Sequence, residues 1–154
     1  MLTTPSAIRS ILFIYEDEDD YSIVQEAVQR IEPAIASCCL PCSDYPSFKE
    51  EDFLPDLIFM EMDLAEVDSC ACLQKIKEGR YANIPVIVYG GSSHHEDIKQ
   101  AYACGATLYV VKSDTYAQLL ACLEQLLKQV SWQNPEEVTR GHQVEGTYIA
   151  FEAQ

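Results

Sequence analysis

Apolar residues arrive along this chain in two alternating rhythms. The first is the short continuous run: residues 11–15 (ILFIY), 34–40, 57–60 (LIFM), 84–89 (IPVIVY) and 107–111. Runs of this length, bounded by turn residues, read as strands, the first of them buried on both faces. The second is helical spacing. Val24, Val28 and Ile31 recur at that spacing before Pro33 stops the pattern. Leu73 and Ile76 line a helix that Asp68 is placed to cap and that runs to Gly79. Ser93 and Glu96 form a capping box for a helix ending at Cys104, with Gly105 as the residue that closes it. Asp114 or Thr115 opens a last helix carrying Leu119, Leu120, Leu123, Leu126 and Leu127 on one broad face. Residues 41–55 (PCSDYPSFKEEDFLP) are bounded by proline and leave room for only a short helix.

Strand and helix in alternation predict an α/β fold. The strands form a doubly wound, five-stranded parallel sheet flanked by helices, joined by right-handed crossovers. With 154 residues the chain buries one core. The pattern breaks after Val130. Residues 1–130 read as the domain, and residues 131–154 as a C-terminal tail or edge extension. That extension is polar and mixed, with one strand-like run at 148–151. It is either a mobile tail or an added edge that meets a partner.

Charge narrows the function. Twenty-five acidic against ten basic residues give a formal net charge of −15. Phosphate backbones are repelled by such a surface, and no Lys/Arg cluster offers a local exception, so nucleic acid is excluded as a partner. No basic helical face suits a membrane, and no apolar run is long enough to span one. The opening residues, MLTTPSAIRS, lack the features of a signal peptide, which makes a cytoplasmic location the expectation.

Seven cysteines cannot all pair internally. In a reducing compartment they are expected to be free thiols packed as small hydrophobes, Cys70 and Cys72 included. Cys39 and Cys42 form a CxxC, but no second ligand pair is spaced for zinc, and no helix opens directly after it as redox motifs require. A thiol or zinc protein built on Cys39 and Cys42 remains an alternative reading. His94 and His95 follow a serine turn and are expected to be exposed.

The chemistry gathers where strands end. ILFIYEDEDD, DLIFMEMD, IPVIVYGGSS and ACGATLYVVKS close the first, third, fourth and fifth strands. This set, from about Ile8 to Val130, resembles the receiver domain of two-component response regulators. The resemblance implies bacterial phosphorelay signalling rather than enzymatic turnover. In that family an acid pair after strand one helps to hold Mg²⁺, and an aspartate ending strand three accepts phosphate from a histidine kinase. A Thr or Ser after strand four and a Lys after strand five touch that phosphate, and an aromatic residue in strand five moves in response.

The match is partial. Glu61 stands at the phosphoacceptor position and Tyr15 at the place of the first acid, with Glu16 in the second. Gly90 replaces the hydroxyl residue, Lys112 is kept, Ser113 replaces a proline, and Tyr109 keeps the aromatic position. In the loop after strand three, Ala65 and Ser69 stand where Pro and Gly are usual. Glutamate reaches about 1.5 Å further than aspartate, enough to spoil an in-line transfer. Glu16, Glu61 and the backbone carbonyl of Asp63 make at best a weak Mg²⁺ site, because Tyr15 removes an anion. Glu61 is expected to reach toward Lys112 as a fixed negative charge, an imperfect imitation of a phosphoryl group; the same pair also reads as a purely structural ion pair.

The expected function is an atypical, stand-alone response regulator with a degenerate phosphorylation site, acting through protein partners such as a histidine kinase or a downstream regulator. Residues 93–112 are its expected partner face, and a homodimer is compatible with it. A phosphoaccepting receiver using Asp63 or Asp17 is the rival.

Overall fold

The computed structural model describes residues 8–16, 18–47, 53–62 and 67–153. Five strands form one parallel sheet: β1 (Ser10–Tyr15), β2 (Ala36–Pro41), β3 (Leu57–Glu61), β4 (Val86–Gly90) and β5 (Leu108–Val111). Their spatial order is β2-β1-β3-β4-β5, so the chain winds outward in both directions from β1. The runs of β1, β3, β4 and β5 are strands because a pleated strand sends alternate side chains to opposite faces and both faces are covered, whereas the edge strand β2 buries only Leu40. On β1, Ile11 and Phe13 enter one core layer, while Leu12 and Ile14 enter the other.

Helices α1 (Glu18–Ile31) and α4 (Tyr116–Lys128) cover the first layer. Helices α2 (Val67–Glu78) and α3 (His95–Cys104) cover the second. Among the described residues of the β2–β3 connection there is one 3-10 turn, Cys42–Ser47, and no α-helix. Its proline-bounded sequence allows no more.

Local chemistry sets the helix ends. Thr115 caps α4, its side chain accepting from the Gln118 N–H at 3.1 Å. The expected Ser93–Glu96 box is corrected. His94 is the cap residue of α3 and makes no side-chain capping bond. Ser92 instead holds the turn: its hydroxyl donates to Asp97 at 2.5 Å and accepts from the His94 N–H at 3.1 Å. Gly105, at φ +122°, closes α3 in a conformation that L side chains rarely adopt.

The expectation of free thiols is corrected at one pair. Cys70 on α2 and Cys104 on α3 form a disulfide, their Cα atoms 5.6 Å apart. The two helices pack side by side, and that packing brings together residues 34 positions apart in sequence. The other five cysteines are not disulfide-bonded.

Beyond α4 the chain is ordered in short pieces. Trp132 is buried, and its indole N–H donates to the Leu126 carbonyl at 2.8 Å. Helix α5 (Pro135–Arg140) follows, then a two-residue hairpin, β6 (Gln143–Val144) and β7 (Thr147–Tyr148). Glu145 (φ 54°) and Gly146 (φ 80°) make its turn, the positive-φ pair that tight hairpins need. Past the hairpin, Phe151 forms an isolated parallel bridge to Val110 on β5.

Candidate functional site

The carboxyl ends of parallel strands leave a crevice into which loop residues project. Here the crevice holds Glu61, the last residue of β3, which is 5% exposed. Its Oε2 lies 2.6 Å from the Lys112 ammonium, and its Oε1 accepts from the Glu16 backbone N–H at 2.9 Å. The ends of β1, β3 and β5 are thereby tied together through one carboxylate.

Length makes this pair feasible. Strands β3 and β5 are separated by β4, hence by about 10 Å at two strand spacings. Two long side chains bridge that gap, and Tyr89 of β4 fills the space between. The Lys112 ammonium stands 5.9 Å from the Tyr89 ring centroid, within range of a cation–π attraction. The Tyr89 hydroxyl in turn accepts from the Ser113 N–H at 3.3 Å.

The second pair is Gly90 and Tyr109. Tyr109 is fully buried, and its hydroxyl donates to the Ser92 carbonyl at 2.7 Å. The phenol thus finds its backbone acceptor in the loop after β4. Gly90 is what admits the ring. A Cβ there would collide with the Tyr109 hydroxyl and lie 3.0 Å from Cζ. Burial, seconded by the Asp97 charge, pushes the Tyr109 phenol up to about 12.

Comparison with known proteins places the chain in a family. The sequence pattern of the response regulator receiver domain matches residues 12–124, most of the chain. The chain belongs to the response regulator receiver domain family. Among solved structures it is similar to the phosphorylated cyanobacterial phytochrome response regulator RcpA, at 23% identity and a TM-score of 0.64, covering 78% of this chain and 91% of that one. It is also similar to the Mn²⁺-bound response regulator Rcp1, at 21% identity and a TM-score of 0.60, covering 80% and 97%. The BeF₃-activated DrrB receiver domain resembles it at 21% identity and a TM-score of 0.59, covering 78% and 97%. No curated protein matches the sequence.

The cation that the receiver family implies finds a poor donor set among the described residues. No group of three His, Cys, Asp or Glu side chains converges there. The Glu61 carboxylate is already bonded to Lys112 and to the Glu16 N–H. Tyr15, expected in place of the first acid, stacks on Tyr21 with ring centroids 4.8 Å apart. The third expected ligand, Asp63, and the rival acceptor Asp17 both lie outside the described residues.

Cys39 and Cys42 do not form one site. Cys39 is exposed beside Tyr21 of α1, whereas Cys42 faces Cys72 of α2. Contact with Cys42, with burial, pushes the Cys72 thiol well above its ordinary range. His94 and His95 are exposed, as expected. No helix among the described residues is long and apolar enough to cross a membrane.

Two contacts of the crevice were not legible beforehand. Tyr89 as the floor beneath Lys112 carries no sequence signal beyond its place in the central strand. The Gly90–Tyr109 fit had one: a glycine where the family has a hydroxyl residue, facing a large aromatic residue on the next strand.

Proposed function

We propose that this receiver works without phosphoryl transfer, as an atypical regulator that binds protein partners in one preset conformation. The observation that carries this reading is the Glu61–Lys112 pair at 2.6 Å, with the other Glu61 oxygen held by the Glu16 N–H. In a phosphorylatable receiver the acceptor carboxylate attacks a phosphoryl donor, and the lysine then meets the new phosphate. Here the carboxylate reaches the lysine directly, so the contact that phosphate would create exists already. Tyr109 is buried beside Gly90, which has no hydroxyl with which to follow a phosphate. A ligand shifts an equilibrium only by its differential affinity for two states, and these substitutions remove that difference. The partner is a signalling protein such as a histidine kinase or a downstream regulator, recognised by binding rather than by turnover.

The test is intact-mass spectrometry of the wild-type chain after incubation with acetyl phosphate and Mg²⁺. The expected result is no acid-labile phosphoryl adduct. An adduct mapping to Glu61, Asp63 or Asp17 overturns the reading in favour of a phosphoaccepting receiver. Calorimetry with Mg²⁺ alone should show no binding tighter than millimolar, the range expected of a carboxylate-poor site.

A further inference from the structure

Cys42 and Cys72 meet across the joint between the 3-10 turn and α2. Cys42 opens the turn directly after β2, and Cys72 lies in the first half of α2, buried in the layer beneath it. The Cys72 thiol donates to the Cys42 carbonyl at 3.9 Å, and the two side chains hydrogen-bond as well. They are 30 positions apart in sequence, and neither is disulfide-bonded. The CxxC spacing hides this partnership. Alternate residues of β2 face opposite sides of the sheet, so Cys39 turns toward Tyr21 of α1 while Cys38 and Leu40 join the layer that holds Cys72.

The two thiols are unequal. Cys42 is partly exposed and Cys72 is buried, so a disulfide arriving from solvent reaches Cys42 first. Contact with Cys42, together with burial, favours the protonated form of Cys72, which leaves Cys42 as the thiolate of the pair. The Glu16 charge acts on Cys72 in the same direction, and the Glu16 N–H is the donor that holds Glu61. The pair therefore lies beside the crevice. On its other side α2 is already bonded to α3 through Cys70. Residues two positions apart on a helix project about 200° from one another, so Cys70 and Cys72 point away from α2 in nearly opposite directions.

We propose that Cys42 and Cys72 are a regulatory dithiol, closed to a second disulfide by exchange with an external disulfide such as glutathione disulfide. The Cys42 thiolate attacks one sulfur of the incoming disulfide, forming a mixed disulfide and releasing one thiolate. Cys72 then gives up its proton and attacks the Cys42 Sγ, expelling the second thiolate. The protein dithiol loses two electrons, the external disulfide gains them, and the protons end on the two released thiols. The folded chain already holds the sulfurs together, so the second attack is intramolecular and outruns a second external thiol. Excess thiol reverses the exchange. Closing the bond fastens α2 to the turn after β2 as well as to α3, and so passes a redox signal to the helix that follows the strand of Glu61. This inference stands whether or not Glu61 accepts a phosphoryl group.

The test equilibrates the full chain with glutathione disulfide, quenches with acid, alkylates, and maps peptides by mass without reduction. A linked Cys42–Cys72 peptide should form, distinct from the Cys70–Cys104 one, and should vanish with excess reduced glutathione. Cys72→Ser should stop at Cys42 carrying one glutathione, Cys42→Ser should leave Cys72 unmodified, and Cys39→Ser should leave the linkage intact. In the wild type, amide exchange of Leu73 and Ile76 in α2 should slow about tenfold on oxidation, and in Cys42→Ser it should not change. A Cys39–Cys42 linkage, or a Cys42–Cys72 linkage that forms only in denaturant, overturns the proposal. So do α2 amides that exchange equally in the two redox states.

Discussion

Glu61 is a buried carboxylate bonded through both oxygens, and that makes it the most informative single position. Glu61→Gln keeps the shape and one acceptor oxygen but leaves the Lys112 ammonium facing a neutral amide. Removing one member of a buried pair costs about 1–3 kcal/mol, toward the lower end when the partner reaches water, as Lys112 does with 28% of its side chain exposed. Urea denaturation should show a loss in that range; an unchanged midpoint would mean that the pair contributes nothing. Gly90→Thr tests the other pair. The added Cβ and its substituents occupy the place of the Tyr109 phenol, so the ring must move or the strands must part. Overpacking of this kind costs about 1–3 kcal/mol, and the near-ultraviolet dichroism of the tyrosines should change with it. Gly90→Thr in a Tyr109→Ala background should cost less, because the two positions share one space. These side chains were partly legible in the sequence. Strand-end placement brought Glu61 and Lys112 to one crevice, since parallel strands deliver their carboxyl ends to one edge. The acceptor of the Tyr109 phenol was not legible, because it is a backbone carbonyl and any residue at position 92 carries one.

Elements were easier to read than their fastenings. Hydrophobic period located all five strands and the four helices that flank them, because burial on both faces of a sheet leaves an unmistakable apolar run. The α3 cap slipped by one residue, since neighbouring serines offer the same hydroxyl and only the loop path after Gly90 selects Ser92. The Cys70–Cys104 pairing was illegible for a similar reason. Which two of seven thiols meet depends on how α2 lies against α3, and no local pattern encodes that. The disulfide closes a loop over a separation of 34 residues, and the chain-entropy view gives such a crosslink about 3–4 kcal/mol. Reduction with dithiothreitol, or Cys70→Ser, should lower stability by up to that amount. Because a single crosslink accounts for it, Cys70→Ser should make the protein insensitive to the reductant. A midpoint unaffected by either treatment would show that the covalent link between these helices is unimportant to the fold.

For the molecule as a whole, the burial that shapes both core layers also sets an alkaline limit to stability. Tyr102 and Tyr109, in the layer under α2 and α3, have phenols raised from 10.0 to about 12, chiefly by burial. Cys122, in the layer under α1 and α4, has its thiol raised from 9.0 to about 11, also by burial. A raised acid holds its proton in the folded chain at a pH where the unfolded chain has released it. The unfolded state then binds fewer protons, so stability falls as pH rises. Each group's contribution is complete below its unfolded value. Cys122 loses its share between pH 9 and about 11, and the two tyrosines lose theirs between pH 10 and about 12. General repulsion from a net charge of −15 adds to this slope, but salt screens it and screens buried groups much less. The urea midpoint at high salt should therefore stay level up to about pH 9 and then fall in two overlapping stages. Tyr109→Phe should flatten the second stage and leave the first in place. Phenolate absorbance should rise for these two tyrosines only as the chain unfolds. A midpoint that holds level to pH 12 would contradict the link between their burial and stability.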